Sequence, residues 1–140
     1  MSGAHDRTFT IQASEGVGSL EFFDPERDEH GGFDSFYVRV TAENLSAAIH
    51  VWDGVMSLPR YFADLAANWR GWDREKEWAS LEQEFILRAT NDGRGHILLF
   101  VTLRGGMFPR EWTVEAVIPT EAGLLDRITS DCLSFVSLGS

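Results

Sequence analysis

Hydrophobic and polar residues alternate along several short stretches of the chain. In residues 36–42, for example, Phe36 and Val38 share one face and the more polar residues between them share the other. Successive side chains of a β-strand point to opposite faces, so this alternation predicts a strand with one buried face. Similar stretches, bounded by turn-forming residues, predict further strands. The predicted strands are residues 8–12, 17–23, 36–42, 46–52, 84–90, 96–103 and 111–118.

Two other stretches carry apolar residues three and four positions apart, which is the spacing of one helix face. The first, residues 57–70, begins at Ser57, whose hydroxyl can cap a helix. The second, residues 120–136, follows Pro119 and has Glu121 in its first turn, where a negative charge suits the helix dipole. Because the strand connections are mostly short, we expect an α+β fold. It would be a largely antiparallel sheet of about seven strands with both amphipathic helices packed on it.

Residues 97–101 are apolar at every position. A strand with this pattern is typical of the centre of a sheet, so we expect it to be covered on both faces. A doubly apolar strand would also permit symmetric association. The chain is therefore expected to be a monomer or a homodimer.

The length of 140 residues is close to the commonest size of one domain, so we expect a single domain over residues 1–140. Acidic residues number 22 against 12 basic ones, and the formal net charge is −10. This balance argues against a nucleic-acid ligand, which normally requires a basic patch. It permits a basic protein partner, because opposite charges steer encounter, and it is equally consistent with a well-solvated surface without a partner.

The expected location is the cytoplasm, without membrane association. Residues 1–7 are polar and give no hydrophobic signal segment, and no apolar run approaches the ~20 residues that span a bilayer. The one cysteine, Cys132, cannot form an intramolecular disulfide. It lies on the apolar stripe of the second helix, so we expect a buried core residue rather than a nucleophile.

We expect neither a metal site nor a cofactor. The four histidines show no ligand spacing, and the acidic stretch 24–30 lacks the spacing of a calcium loop. A hydrolase that uses His96 with Glu82 or Glu84 would need these groups to meet in a cleft. We expect structural roles for them, so the chain is predicted not to be an enzyme.

The most distinctive segment is rich in tryptophan and arginine, a combination that is enriched in binding hot spots. Trp69 closes the apolar stripe of the first helix and is expected to pack in the core. Trp72 and Trp78 remain candidates for either core packing or partner contact. With the acidic loop at 24–34, they make up the predicted partner-binding surface. Its residues are Asp24, Glu26, Asp28, Glu29, Trp72 and Trp78.

Three motifs carry a family resemblance. They are W-R-G-W-D through W-A-S-L-E in 69–82, D-G-R-G-H-I in 92–97 and T-E-A-G-L-L in 120–125. Over most of its length the chain resembles a bacterial family of unknown function. Over about residues 60 to 136 it is also similar, more weakly, to wall-associated-protein-type immunity proteins, although its N-terminal third departs from that pattern. The second resemblance implies a small cytosolic protein that neutralises a toxin by binding it, and no catalytic residues come with it.

The sequence thus predicts a non-enzymatic protein-binding module, of immunity type, for a basic toxin domain. The alternative is a small-molecule binding domain. A curved antiparallel sheet with two helices can enclose a pocket. The tryptophans that could line such a pocket are Trp52, Trp72, Trp78 and Trp112.

Overall fold

The structure is a computed structural model that describes residues 7–52, 57–106 and 110–137. The prediction for the polar N-terminal stretch lies outside the described residues, except for Arg7. In the described part of the chain, no helix is long and apolar enough to cross a membrane.

The first four strands form one antiparallel sheet, here called sheet A. Each strand pairs with the next along the chain, so the order across the sheet follows the sequence. Alternate residues of each strand point into the core, which confirms the strands predicted from alternation. The strands are β1 (Thr8–Gln12), β2 (Ser19–Arg27), β3 (Phe33–Ala42) and β4 (Leu45–Trp52).

The remaining strands form a second antiparallel sheet, sheet B, so the prediction of one sheet of about seven strands is wrong. The chain has two sheets of four strands, with a helix between them along the sequence. The strand missed from the sequence is β5, which is only four residues long and includes the charged residues Lys76 and Glu77. The strands are β5 (Lys76–Ala79), β6 (Phe85–Asn91), β7 (His96–Gly105) and β8 (Trp112–Glu121).

Two amphipathic helices are present, as predicted, but each is shorter than expected. Helix α1 is Ser57–Ala67, and α2 is Leu125–Ser137 after a 3-10 turn at Ala122–Leu124. The predicted start of the second helix at residue 120 is wrong because β8 continues through Pro119 to Glu121. Proline is tolerated here since β8 lies at the edge of sheet B. The carbonyl of Pro119 accepts a hydrogen bond from the amide of Ser14 at 2.9 Å. This bond connects the segment after β1 of sheet A to β8 of sheet B.

Both sheets and both helices contribute to one hydrophobic core. Phe22 of sheet A lies 5.7 Å from Phe85 of sheet B, measured between ring centroids. Phe62 of α1 and Phe135 of α2 contact Phe9 of β1, at 6.1 and 6.4 Å. Aromatic rings therefore join both sheets and both helices in the core.

The outer face of sheet B is open to solvent within the described residues. β7 lies between β6 and β8, so it is central as predicted. However, Leu98 is exposed and Phe100 is only half-buried, with the guanidinium of Arg88 5.7 Å from the Phe100 ring. The expectation that residues 97–101 are covered on both faces is therefore wrong for the described structure.

Candidate binding surface

Glu26 reaches the outer face of sheet A through a bulge in β2. Phe23 pairs with Tyr37, but the next pair in register is Glu26 with Ser35, so β2 holds one extra residue. Asp24, inside this bulge, has a φ of 50°. Strand side chains alternate between faces, so without the extra residue Glu26 would point away from the face that carries Phe23.

Four rings cross the same outer face in a continuous row, here called the aromatic ladder: Phe23, Tyr37, His50 and Trp52. Phe23 and Tyr37 stack at 5.6 Å, and Tyr37 and His50 stack at 4.4 Å, because each pair lies directly opposite in the register. His50 and Trp52 lie two residues apart on β4 and approach to 4.4 Å. The ladder ends at Trp52, which is 53% exposed.

A serine, a histidine and a glutamate meet beside the ladder. The Ser35 hydroxyl donates to Glu26 Oε1 at 2.6 Å, and His50 Nε2 lies 3.0 Å from that hydroxyl and 3.1 Å from the same carboxylate oxygen. In a catalytic triad, serine and carboxylate contact different nitrogens of the imidazole. Here both contact one nitrogen and the buried serine donates to the glutamate, so the geometry holds Glu26 and His50 in place rather than activating Ser35.

Trp52 also borders a cleft of about 530 Å³ between β4 and the end of the β7–β8 pair. Trp112 lines the same cleft, with its indole packed over Gly105, where an added Cβ would fall 1.9 Å from a ring carbon. The missing side chain at Gly105 therefore makes the space that the indole occupies. The other main residues that line the cleft are His50, Glu82, Glu84, Arg104 and Arg110.

Glu84 lines this cleft, although it is only 3% exposed. The Ser80 hydroxyl donates to one carboxylate oxygen, and the Trp52 amide donates to the other at 3.2 Å. Among the described residues, no lysine, arginine or histidine forms an ion pair with it. Buried charged groups are ordinarily paired, which makes this carboxylate unusual.

The family to which the chain belongs is shown by comparison with family models. The model described as Family of unknown function (DUF6228) matches residues 10–138. The chain belongs to this family. The predicted membership of a family of unknown function is thereby confirmed, whereas the similarity to immunity proteins stays a prediction. No curated protein and no solved structure matches the chain.

In this DUF6228 chain, the four predicted acidic residues have different roles. Glu26 contacts His50 of the aromatic ladder. Asp24 is part of the bulge that directs Glu26 to this face. Asp28 is a turn residue, since one carboxylate oxygen accepts from the amides of His30 and Gly32. Glu29 is exposed at the same turn. The acidic stretch 24–30, from here on called the acidic segment, therefore covers the end of β2 and the turn after it, next to the strands that carry the aromatic ladder.

The predicted tryptophan anchors lie elsewhere, and the indole nitrogen of each donates a hydrogen bond within the fold. Trp78 is 8% exposed, and its indole nitrogen donates to Ser57 Oγ at 2.9 Å. Trp72 is half-buried and donates to the Ala89 carbonyl at 3.0 Å. Trp78 therefore packs in the core, whereas Trp72 keeps part of its surface exposed and its contact with a partner stays a prediction. The structure therefore does not bring Trp72 and Trp78 together with the acidic segment.

The prediction that Trp69 packs in the core is wrong, because α1 ends at Ala67, before the apolar stripe reaches it. Trp69 is 52% exposed, and the guanidinium of Arg70 lies 5.1 Å from its ring. It lies near the β6–β7 turn, where it borders a separate shallow cavity with Gly93 and Gly95.

His96 and Glu84 do not converge. Glu84 precedes β6 at the end where Phe85 pairs with Leu103, and His96 begins β7 at the opposite end. The two are roughly 20 Å apart, from the rise of an extended strand. His96 instead contacts Asp92, with 2.7 Å between Nδ1 and Oδ2, so the structural role expected for it agrees with the geometry.

The remaining candidates from the sequence are the cysteine and the metal-ligating side chains. Cys132 is buried, and burial raises the pKa of its thiol. Within the described part of the chain, no group of three or more His, Cys, Asp or Glu side chains could hold a metal ion.

Sequence reasoning missed the role of the aromatic ladder. The signal was present, because Tyr37 alternates with core residues of β3 and His50 alternates with core residues of β4. Only the register, which places these two rings opposite each other, makes them one surface.

Proposed function

We propose that the protein is a non-enzymatic binding module that recognises a basic protein partner through the outer face of sheet A. The observation that carries this proposal is Trp52, a half-exposed indole at the end of a stacked row of rings. Large aromatic residues held by their neighbours are the usual anchors of protein interfaces. The neighbouring rings restrict the motion of Trp52, so little conformational entropy is lost on binding.

The charges around the ladder support a basic partner. Glu26 lies beside His50 of the ladder, and Asp28 and Glu29 follow in the loop after β2, on a chain with a net charge of −10. Arg39 contributes a cation to the ladder, but it lies 4.6 Å from the Phe23 ring and is paired with Glu21 at 2.9 Å. A basic surface would therefore be attracted to this side of the molecule.

The more specific proposal is an immunity function in the bacterial cytoplasm, in which the protein neutralises a basic toxin domain by covering it. The acidic balance of the chain and its resemblance to immunity proteins support it. A non-enzymatic mechanism is supported by the arrangement of Ser35, His50 and Glu26, which lacks the geometry of a triad, and by the burial of Cys132.

The test begins with capture of a partner from the native host at low salt, followed by affinity measurements on the purified pair. Trp52→Ala should weaken binding by about 30-fold, the equivalent of an anchor worth about 2 kcal/mol. Glu26→Gln should weaken it less and should reduce its dependence on salt.

Trp69→Ala is the matched control, since Trp69 is exposed to the same degree as Trp52 but lies by the β6–β7 turn. It should leave the affinity unchanged. Equal losses for the two tryptophan variants would place the contact elsewhere, and a partner without a basic surface would refute the electrostatic part of the proposal.

A second candidate function is small-molecule binding in the cleft between Trp52 and Trp112. Its volume of about 530 Å³ is typical of ligand sites, which combine apolar walls with a few polar groups. Native mass spectrometry of the purified protein tests this function directly. A bound small molecule that is lost in Trp112→Ala supports it, and a protein of unchanged mass after mild purification argues against it.

A further inference from the structure

The floor of the cleft between Trp52 and Trp112 has an incompletely paired negative group. Each oxygen of Glu84 accepts one hydrogen bond in the described structure, from Ser80 or from the Trp52 amide. A carboxylate offers about four acceptor positions. Glu84 can therefore accept further hydrogen bonds from a donor that enters the cleft.

The same cleft contains a cation without a carboxylate partner. In the described residues, Arg104 forms no ion pair, and the hydrogen bond of its guanidinium is a long one, 3.4 Å to the Gln83 carbonyl. The backbone amide of Arg104 donates to the Glu84 carbonyl at 2.9 Å, so the two residues are neighbours. Their side chains nevertheless do not pair with each other.

The other charged pair of the cleft is already neutralised. Arg110 lies 4.0 Å from Glu82, and both are well exposed at the rim. The charges of this pair cancel, so Glu84 and Arg104 supply the remaining carboxylate and guanidinium among the described residues that line the cleft. The indoles of Trp52 and Trp112 also line the cleft.

We propose that the cleft binds an α-amino acid as its zwitterion, with the ammonium on Glu84, the carboxylate on Arg104 and the side chain between the two indoles. This inference rests on the small-molecule function of the cleft. An ammonium group is a donor to carboxylate oxygens, and a guanidinium fork matches a carboxylate. A ligand with only one of these charges would leave the other protein group unpaired.

The test is a thermal-shift survey of the standard L-amino acids, each at about 10 mM, followed by calorimetry on those that raise the melting temperature. At least one should stabilise the protein. Its decarboxylated amine and its deaminated acid should each bind at least ten-fold more weakly, because each lacks one of the two charges.

Variants locate the site. Glu84→Gln and Arg104→Gln should each weaken binding of the amino acid by ten-fold or more. Glu121→Gln and Arg94→Gln, which change exposed groups near the far end of β7, should bind it as the native chain does. Circular dichroism of each variant checks that it is folded. If Glu84→Gln fails to fold, Arg104→Gln still tests the site.

The proposal is overturned if no amino acid stabilises the protein, if the amine or the acid binds as tightly as the parent, or if the folded variants bind normally. Two further results distinguish a failure of this proposal from a failure of the small-molecule and protein-binding functions proposed above. A native mass spectrum with a ligand of another class would keep the cleft as a small-molecule site. A basic partner that depends on Trp52 but not on Arg104 would keep the protein-binding function.

Discussion

Gly105 determines where the indole of Trp112 can lie. The two residues are directly opposed in the β7–β8 register, and the ring packs over the glycine backbone. Gly105→Ala should therefore displace the indole and lower the free energy of unfolding by about 1 to 3 kcal/mol, the usual cost of overpacking. Denaturant unfolding measures the loss, and near-ultraviolet circular dichroism reports the displaced ring.

Gly123→Ala is the control for this change. A Cβ at Gly123 would have no atom within 4 Å, so no comparable loss is expected there. Equal unfolding free energies for native protein and Gly105→Ala would mean that the indole moves aside without cost.

Asp92 organises the β6–β7 turn through its charge. The backbone amide of Arg94, and then the side chain of His96, hold the pKa of Asp92 below its ordinary value of 3.8. A carboxylate with a lowered folded-state pKa stabilises the fold above its unfolded pKa, and this contribution is lost as pH falls through the lowered value. Asp92→Asn should therefore be less stable than the native chain at neutral pH, and the difference should disappear in acid.

The measurement is denaturant unfolding of both proteins from neutral pH down through about pH 5 and below. Glu121→Gln, a change at an exposed carboxylate of β8, serves as the control and should follow the native profile. A constant difference between Asp92→Asn and the native chain at every pH would show that the charge of Asp92 does not matter.

The candidate surface was only partly predictable from single residues. Composition pointed to the acidic segment, and Glu26 does lie beside the aromatic ladder. Core packing and partner contact stayed open for Trp72 and Trp78 because local sequence does not reveal burial: Trp78 follows charged residues, yet its ring packs 5.3 Å from Phe85 in the core. Contacts between residues distant along the chain decide such cases.

Among the secondary-structure elements, helix α2 contributes to the free energy of unfolding mainly through its buried face. Phe135 contacts rings of three strands of sheet A. Phe135→Ala should therefore cost about 3 to 5 kcal/mol of unfolding free energy, the range for a phenylalanine deleted from a core. Leu133→Ala, on the exposed face of the same helix, should change it by less than about 0.5 kcal/mol.

Denaturant unfolding of the two variants measures this contrast between the helix faces. Because both substitutions introduce alanine into one helix, helix propensity contributes little to the difference. Similar losses for the two variants would contradict the orientation of α2 on the sheets.

Periodicity predicted most of these elements, since burial on one face is a local property of a strand or helix. The failures lie where local patterns conflict with pairing. Pro119 suggested a helix start, but pairing of Thr120 with Ile97 keeps that segment in β8. β5 was missed because a four-residue strand shows too little alternation to be recognised.

For the complete fold, the excess of acidic residues should oppose compaction. Like charges repel in the folded chain, and salt screens this repulsion. The melting temperature should therefore rise by a few degrees between low and moderate concentrations of sodium chloride at neutral pH. Near pH 4.7, where the net charge approaches zero, the increase should largely vanish. An equal increase at both pH values would indicate a general salt effect instead.

The division into two sheets was not predictable from alternation. Each strand pairs with its neighbour in sequence within sheet A and within sheet B, so the local pattern is the same as for one continuous sheet. What separates them is α1, which lies between β4 and β5 in sequence.

The position of α2 at the end of the described chain has a consequence for synthesis on the ribosome. The phenylalanines of sheet A, such as Phe22 and Phe36, contact Phe135, which is made about 100 residues after Phe36. At a translation rate of about 5 to 20 residues per second, that delay is roughly 5 to 20 seconds. Throughout that interval these rings lack the contact with Phe135 that covers them in the folded chain, and we expect chaperones that hold unfinished chains to bind them.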